Sequence, residues 1–204
     1  MRTSWETLYQ QIAECTACAL HQRITRRVPG QGSATARVML IGEGPGQQED
    51  LQGLAFVGPA GQLLTKMLAA IGLTREEVYI CNVVKCRPPG NRIPTPEEAA
   101  ACMPFLRQQV ALVRPEIIVL LGATALKAIL GEHMRITRER GQWIERKGVW
   151  MMPTYHPSAL LRDESKKRDA WEDFKQIRDK LQQLDDKGSE RAHAAADGTV
   201  SQQM

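Results

Sequence analysis

Three polar side chains stand at the ends of short apolar runs in this sequence. They are Glu43, Asn82 and His156. A carboxylate can position water, an amide can both donate and accept hydrogen bonds, and an imidazole can stabilise an anion. In an open parallel sheet ligands bind at the carboxyl ends of the strands, so we expect the three side chains to converge on one edge.

The first apolar run opens into a glycine-rich, acidic loop. Residues 42–46 contain three glycines and Pro45, and Glu49, Asp50 and Phe56 follow them. The glycines allow a close approach of a ligand, and the proline fixes one backbone torsion, so the loop should be well shaped. By itself the stretch is equally consistent with a glycine-rich turn that carries solvated acids.

Five cysteines suggest metal or redox chemistry. Cys15 and Cys18 form a C-x2-C pair, and Cys86 and Cys102 follow later in the chain. Four thiolates can hold zinc or an iron–sulfur cluster, and the spacing does not choose between them. The third alternative is a chance pair among buried cysteines. Cys81 adjoins Asn82, so strand alternation turns it into the core, and we do not count it as a ligand.

The elements that must position these residues alternate along the chain. Apolar runs predict four strands, and helical spacing and capping signals predict the helices between them. The predicted strands are 38–41, 78–84, 117–121 and 149–152, and the main helices are 4–14, 63–71, 95–113 and 171–184. The expected fold is α/β, a three-layer αβα sandwich with a central, mainly parallel four-stranded sheet. We expect one domain over 1–184 and a disordered tail over 185–204.

Composition is that of an ordinary globular protein. Of the 204 residues 43% are hydrophobic and 25% are charged, and the net charge is +4. This modest basic excess permits a nucleic-acid partner without requiring one. No apolar run is long enough for a membrane span, and the first residues lack the apolar core of a signal peptide, so we expect a cytoplasmic protein.

Several motifs, in order, closely resemble the family 4 uracil-DNA glycosylases. The resemblance covers roughly residues 5–184, which leaves only the tail outside it. The motifs are Gly42–Gly46 with Glu49 and Asp50, Phe56–Gly58 with Ala60–Leu64, Asn82–Pro88, and His156–Arg162. The family hydrolyses the N-glycosidic bond of uracil in DNA and leaves an abasic site, so this resemblance implies DNA containing uracil as the partner. It implies no membrane and no obligatory protein partner.

The resemblance also assigns roles in the pocket. Phe56 would stack on the flipped base, Asn82 would read its edge, and His156 would donate to O2 of the departing uracil. Glu43 and Glu49 would position water and stabilise the sugar cation, and the sequence does not divide these roles. The implied substrate-binding set is Glu43, Gly44, Phe56, Asn82 and His156. Other families of the superfamily have aspartate or asparagine in the first motif, so water activation is the least direct of these transfers.

Two further sites follow from the same resemblance. Leu160 and Leu161 would wedge into the duplex, and Arg162 would meet a phosphate. The four cysteines match in spacing the ligands of a structural 4Fe-4S cluster, with zinc as the alternative occupant; they are Cys15, Cys18, Cys86 and Cys102. One related group becomes trapped covalently through a histidine that residues 87–95 lack here, so we expect turnover.

Three rival functions remain to be compared with this one. A Rossmann-type nucleotide site would need glycine where the chain has Gln47, and no P-loop lysine follows. A glycosylase for hypoxanthine or xanthine would use the same reaction, but Asn82 favours uracil. A non-catalytic iron–sulfur or zinc protein that binds DNA would not need Phe56, Asn82 and His156 together.

Overall fold

A six-stranded sheet runs through the centre of the protein. The structure, a computed structural model, describes the backbone of residues 4–200 and the side chains of residues 4–186. The strands are β1 Gln31–Gly32, β2 Val38–Gly42, β3 Tyr79–Asn82, β4 Ile117–Leu121, β5 Ile144–Arg146 and β6 Val149–Thr154. Their spatial order is β1-β3-β2-β4-β6-β5.

The four predicted strands form the parallel centre of this sheet. Strand β2 pairs in parallel with β3 and β4, and β4 pairs in parallel with β6. The prediction of a mainly parallel four-stranded sheet is therefore confirmed for the centre, and the strand count is corrected to six. The added strands β1 and β5 are antiparallel edges of two and three residues, too short to show an apolar period.

Within residues 4–200, eight α-helices surround or follow the strands. They are α1 Trp5–Ala13, α2 Gln47–Gln52, α3 Pro59–Ala69, α4 Pro96–Val113, α5 Ala123–Leu130, α6 Ile136–Glu139, α7 Pro157–Arg162 and α8 Lys167–Val200. Helix α4 begins as the sequence predicts, because Thr95 accepts from the Glu98 N–H while Glu98 accepts from the Thr95 N–H. Proline at the first helical position completes this start signal.

Alternate residues of the central strands enter two apolar clusters, one on each face of the sheet. Met39 and Ile41 of β2 lie in the first cluster, with residues of α4 and α5. Val38 and Leu40 lie in the second, with residues of α3 and α8. A sheet buried on both faces accounts for the continuous apolar runs of its strands and confirms the three-layer arrangement.

The ends of the chain add little to this frame. Among the described residues, no helix combines the length and the apolar character needed to cross a membrane. The tail predicted over 185–204 falls almost entirely outside the described side chains, and its disorder stays a prediction.

Candidate active site and cysteine pocket

A cleft of about 900 Å³ opens at the carboxyl ends of the parallel strands. Most of the predicted site residues line it, although they come from distant parts of the sequence. They are Glu43, Gly44, Glu49, Phe56, Asn82, His156, Leu161 and Arg162. The cleft therefore lies at the edge of the sheet where the strand-end rule predicts a ligand site.

Asn82 lies at the back of the cleft with an unused hydrogen-bond acceptor. The residue is 1% exposed, and its Oδ1 is buried without a hydrogen-bond partner in the described part of the chain. It pairs with Gly42 across the β2–β3 ladder, where a Cβ on the glycine would lie 2.5 Å from that oxygen. A buried acceptor without a partner costs free energy, so a ligand that donates to it would gain that free energy back.

Phe56 is held against the same glycine by an unusual backbone conformation. Its φ of 53° lies in the left-handed region, which is uncommon for a residue with a side chain. Gly61 permits this bend, because a Cβ there would lie 1.8 Å from the Phe56 carbonyl oxygen. The Phe56 ring reaches within 5.5 Å of the His156 ring, centroid to centroid. A strained residue in a cleft is typical of a functional position.

His156 is fixed in one tautomer by the helix that follows it. It caps α7, where its Nδ1 accepts from the main-chain N–H of Ser158 at 3.1 Å and contacts the Ser158 hydroxyl at 2.8 Å. Burial and the nearby charge of Arg162 lower the pKa of His156 to about 4, against a small opposing effect of Glu49. At neutral pH the ring is therefore uncharged and carries its proton on Nε2, a hydrogen-bond donor for the cleft.

Glu43 faces the cleft with one oxygen held. Its Oε2 accepts a short hydrogen bond from the hydroxyl of Thr124, in the first turn of α5. No partner for the other oxygen occurs among the side chains and backbone groups that the structure describes. Gly44 beside it packs closely, because a Cβ there would lie 2.8 Å from a methyl carbon of Val84. The free oxygen of Glu43 can accept from a water in the cleft.

Glu49 is engaged differently, although it lines the same cleft. One carboxylate oxygen accepts from the N–H groups of Val57 and Gly58 at 2.8 and 2.7 Å. The other accepts from the N–H of Gly46 at 3.1 Å. The Glu49 carboxylate thus accepts from three backbone N–H groups and holds the glycine-rich loop and the Phe56 turn together. Glu49 supports the shape of the site in this structure.

The two residues predicted to wedge into the duplex differ in solvent exposure. Leu161 is 49% exposed and lines the cleft beside Arg162, as expected of a residue that meets DNA. Leu160 is 1% exposed, so the prediction that it enters the duplex is corrected. The reason is helical geometry, since adjacent residues of α7 point in different directions and one of them must face the core.

Several cleft residues were not anticipated from the sequence. Thr124 and Ser158 position Glu43 and His156, but single hydroxyl residues carry no recognisable spacing signal. Ile93 stands 68% exposed on the rim of the cleft. Its loop is braced by a two-pronged ion pair in which Arg92 donates to Glu98 at 2.7 and 2.8 Å. In the sequence, the feature that could have pointed to Ile93 is an apolar side chain between Arg92 and Pro94.

The four predicted ligand cysteines line one separate pocket. Cys15 and Cys18 follow α1, Cys86 follows β3, and Cys102 lies on α4. All four are free thiols, and Cys86 and Cys102 are each 8% exposed. Burial raises the pKa of the Cys86 thiol to about 12, and the positive charge of Arg27 opposes that rise. Thiolates in such a pocket require positive charge beside them.

The chemistry of this pocket suits a cluster better than a single ion. Within the described side chains, no three of the histidine, cysteine and acidic residues lie close enough to hold one metal ion. A cluster spreads its thiolates over several irons, so wider sulfur spacing is expected of it. The Arg27 side chain donates to the Cys15 carbonyl, and its buried Nε has no partner. An orphan cationic N–H near Cys86 fits a pocket that would hold an anionic group.

Comparison with known proteins identifies the family. The uracil DNA glycosylase superfamily matches residues 29–175. The chain belongs to this superfamily. A type-4 uracil-DNA glycosylase of Thermotoga maritima is 51% identical over 164 residues, which are 78% of this chain and 84% of that protein. The type-4 uracil-DNA glycosylase of Archaeoglobus fulgidus is 44% identical over 182 residues, 85% of this chain and 92% of its own length.

A more distant relative is a uracil-DNA glycosylase of a different type. A type-5 uracil-DNA glycosylase of Pyrobaculum aerophilum is 36% identical over 152 residues, 66% of this chain and 67% of that protein. The type-4 relatives confirm the resemblance to family 4, and the superfamily match confirms the expected sandwich fold. The matched residues include the glycine-rich loop, Asn82 and His156.

Proposed function

We propose that this protein is a DNA-repair glycosylase that removes uracil from DNA and leaves an abasic site. The observation that supports this most directly is the buried, unpartnered Oδ1 of Asn82 at the back of the cleft. It lies beside an aromatic ring and a neutral histidine in a member of a glycosylase superfamily. The type-4 relatives that match most of the chain are named for the same reaction.

Recognition follows from the hydrogen-bonding edge of Asn82. Its Oδ1 would accept from N3–H of uracil, and its amide N–H would donate to O4. Cytosine presents the reverse pattern at these two positions, so it would leave both groups of the amide unpaired. The base must leave the duplex to reach this depth, and Phe56 offers a stacking face for it. Two hydrogen bonds would thus distinguish uracil from cytosine, and thymine, which presents the same edge, would be excluded by crowding of its C5 methyl against Glu43.

Cleavage of the N-glycosidic bond creates charges that groups of the cleft would stabilise. The N-glycosidic bond breaks with its electron pair moving to N1 of uracil, and positive charge develops on C1′ of the sugar. The Nε2–H of His156 would donate to O2, onto which the uracil anion spreads its charge. Because the ring is neutral, it acts as a fixed dipole and keeps its proton.

Water completes the reaction at C1′. Glu43 would accept a hydrogen bond from the water with its free oxygen, while Thr124 holds the other oxygen in place. The water oxygen bonds to C1′ and releases a proton, which balances the negative charge of the departing uracil. We assign this role to Glu43, because all the contacts of Glu49 go to backbone N–H groups.

The rim of the cleft would hold the DNA. Leu161 is an exposed apolar side chain able to fill the gap that a flipped base leaves, and Arg162 beside it can pair with a phosphate. Ile93 stands on a braced loop of the same rim and would contact the strand beside the flipped nucleotide. We place this activity in the cytoplasm, the compartment predicted from the sequence.

The cysteine pocket would hold a 4Fe-4S cluster. Cys15, Cys18, Cys86 and Cys102 would each supply one thiolate. When bound, the cluster supplies a cross-link between the end of α1, the segment after β3 and α4. This would fix the segment that begins at Asn82 and continues to Cys86.

The test compares matched oligonucleotides that carry uracil, hypoxanthine or thymine at one position. After incubation, alkali breaks the chain at any abasic site, and iron content and the visible spectrum of the protein are recorded beforehand. We expect cleavage at uracil alone. Faster cleavage at hypoxanthine would contradict the substrate assignment, and no cleavage by protein with a full complement of iron would leave a DNA-binding function.

A second experiment tests whether the enzyme leaves its product or becomes covalently bound to it. Residues 87–95 contain no histidine, so we expect the protein to leave the abasic product and turn over. Denaturing electrophoresis of the protein with a uracil-containing oligonucleotide should show no slow-migrating species. A covalent protein–DNA band would contradict this expectation.

A further inference from the structure

Lys85 is a buried lysine between the cleft and the cysteine pocket. It is 1% exposed, and its ammonium donates to the main-chain oxygen of Asn82 at 2.6 Å. The ammonium also donates to Oε1 of Gln109 at 2.6 Å. Its own backbone N–H donates to Sγ of Cys102 at 3.3 Å. One residue thus contacts the residue that would read uracil and a predicted cluster ligand.

A lysine in this position requires an explanation, because burying an ammonium group is costly unless a counter-charge is near. Lys85 has only neutral acceptors among its described hydrogen bonds, and no carboxylate of the described residues forms an ion pair with it. The groups within reach that would become anionic on binding iron are the cysteines of the neighbouring pocket, where Lys85 is itself a lining residue. A bound cluster would therefore stabilise the lysine electrostatically.

The contact with Asn82 is placed where it can control the side chain. Asn82 is the last residue of β3, and the next N–H along the chain still bonds to Gly42 across the ladder. The Asn82 carbonyl has no described partner other than the Lys85 ammonium. Rotation of that peptide unit would turn the Asn82 backbone and move its carboxamide within the cleft. The Gly42 carbonyl and the Lys85 ammonium hold this peptide unit from its two sides, and loss of the lysine would leave it held from one side only.

We propose that Lys85 is a positioning residue that couples the cysteine pocket to uracil recognition. With the pocket filled, the lysine is held by its backbone at Cys102 and holds the Asn82 carbonyl with its ammonium. Uracil binding and cluster retention then support each other through this residue. The proposal rests on the proposed function and adds a link that the reaction alone does not require.

Coupling of this kind must be reciprocal, which gives a readout besides activity. If a filled pocket favours the uracil-binding pose of Asn82, then uracil bound at Asn82 must favour the filled pocket by the same factor. Ligand should therefore slow the loss of iron. The effect should depend on the Lys85 ammonium and not on the thiolates alone.

The experiment measures iron release from the iron-loaded protein to a ferrous chelator. The probe is an oligonucleotide carrying 2′-fluoro-2′-deoxyuridine, whose electron-withdrawing fluorine opposes the sugar cation and blocks cleavage. The same oligonucleotide with thymidine is the control ligand. We expect the uracil probe to slow iron release by about five-fold or more in the wild type. In Lys85→Met the slowing should fall below about two-fold, whereas the surface variant Lys127→Met should behave as wild type.

A pairwise comparison tests the route through Asn82. We expect Lys85→Met to slow single-turnover excision by about ten-fold or more in the wild type, and by less than about two-fold in Asn82→Ala. An equal loss in both backgrounds would show that Lys85 merely supports the fold. If Lys85→Met is insoluble, Lys85→Gln keeps one donor and should show a smaller loss of the same kind.

The outcomes separate the two proposals. A wild type that retains iron but excises no uracil contradicts the proposed function. A wild type that excises uracil, but whose iron release is slowed equally in Lys85→Met, contradicts the coupling and leaves the glycosylase intact.

Discussion

The cleft and the cysteine pocket flank one short segment and are built in opposite ways. Asn82 at the start of this segment keeps a buried acceptor unpaired, and His156 across the cleft keeps a free N–H donor. Cys86 at its end lies in a pocket lined mostly by apolar side chains and thiols. The cleft retains unused hydrogen-bonding groups that a substrate could pair, whereas the pocket gathers groups that a cluster would tie together.

The comparison also sorts residues within the cleft. Glu43 and Glu49 come from one loop, but only Glu49 has a carboxylate fully engaged by the backbone. Location in a cleft is therefore not enough to assign chemistry. The test is whether the polar atoms of a side chain are already used.

The largest effect is expected for the anion-binding histidine. His156→Ala should lower kcat by about 10²–10³-fold, the loss usual for one donor to a developing anion. Iron content should change little, whereas the melting temperature should fall by about 2–4 °C, because the ring caps α7 and loss of a helix cap costs about 1 kcal/mol. The control is His133→Ala, an exposed histidine away from the site. A loss smaller than about ten-fold would remove His156 from the mechanism.

Loss of a cysteine from the cysteine pocket should lower the stability of the protein. Cys102→Ala should lose iron and lower the free energy of unfolding by about 3 kcal/mol, a fall of about 6–12 °C in Tm for a chain of this size. Cys81→Ala is the control, because Cys81 is also buried but is not one of the residues that line the cysteine pocket. Iron analysis and thermal unfolding distinguish them. Equal iron loss in both variants would contradict the assigned ligands.

Substitution of Glu49 should mainly lower stability, whereas substitution of Glu43 should mainly lower activity. Glu49→Gln places an amide NH2 against backbone N–H donors and should reduce the free energy of unfolding by about 1–3 kcal/mol. Glu43→Gln should leave the unfolding midpoint unchanged but slow excision by about ten-fold or more. Denaturant unfolding and single-turnover rates, measured on both variants, test this. Reversed results would move the water-positioning role to Glu49.

The two leucines of α7 should separate in the same way, with smaller effects on activity. Leu161→Ala should slow excision from duplex DNA by about three- to ten-fold and leave single-stranded DNA nearly unaffected, since no stack has to be filled there. Leu160→Ala should lower Tm and keep the wild-type ratio of duplex to single-strand rates. A changed ratio in Leu160→Ala alone would restore the original wedge prediction.

The smallest expected change is the response to mild acid. The pKa of His156 is lowered to about 4, so the ring stays neutral and kcat should show no titration near 6.5, the ordinary histidine value. Below about 6.5 the unfolded chain binds this proton and the folded protein does not, so the histidine's contribution to stability falls as pH drops toward 4. A kcat profile with an inflection near 6.5 that His156→Ala abolishes would contradict this.

Sequence patterns gave the frame and the position of the site for physical reasons. Runs such as Ile117–Leu121 are legible because strands buried on both faces are apolar throughout. The edge strand Gln31–Gly32 has no such pattern and was missed. The polar residues at strand ends were found because parallel topology brings them together.

What the sequence could not supply was the use of each polar atom. The three N–H groups that occupy Glu49 come from residues three, eight and nine positions away from it along the chain, and their convergence depends on the Phe56 turn. The burial of Leu160 depends on how α7 rotates against the core. Lys85 is a charged residue in a core position, which sequence patterns assign to the surface.

Asn82 keeps an unpaired acceptor that uracil would fill. Single-turnover excision and the unfolding midpoint of Asn82→Ala, measured on the same iron-loaded preparation, test whether this acceptor serves the base. Because Oδ1 has no partner in the free protein, its removal should leave the stability unchanged or raised. Excision of uracil should fall by about 10²-fold or more. A destabilised variant that still excises uracil within about three-fold of the wild type would show that Asn82 serves the fold and not the base.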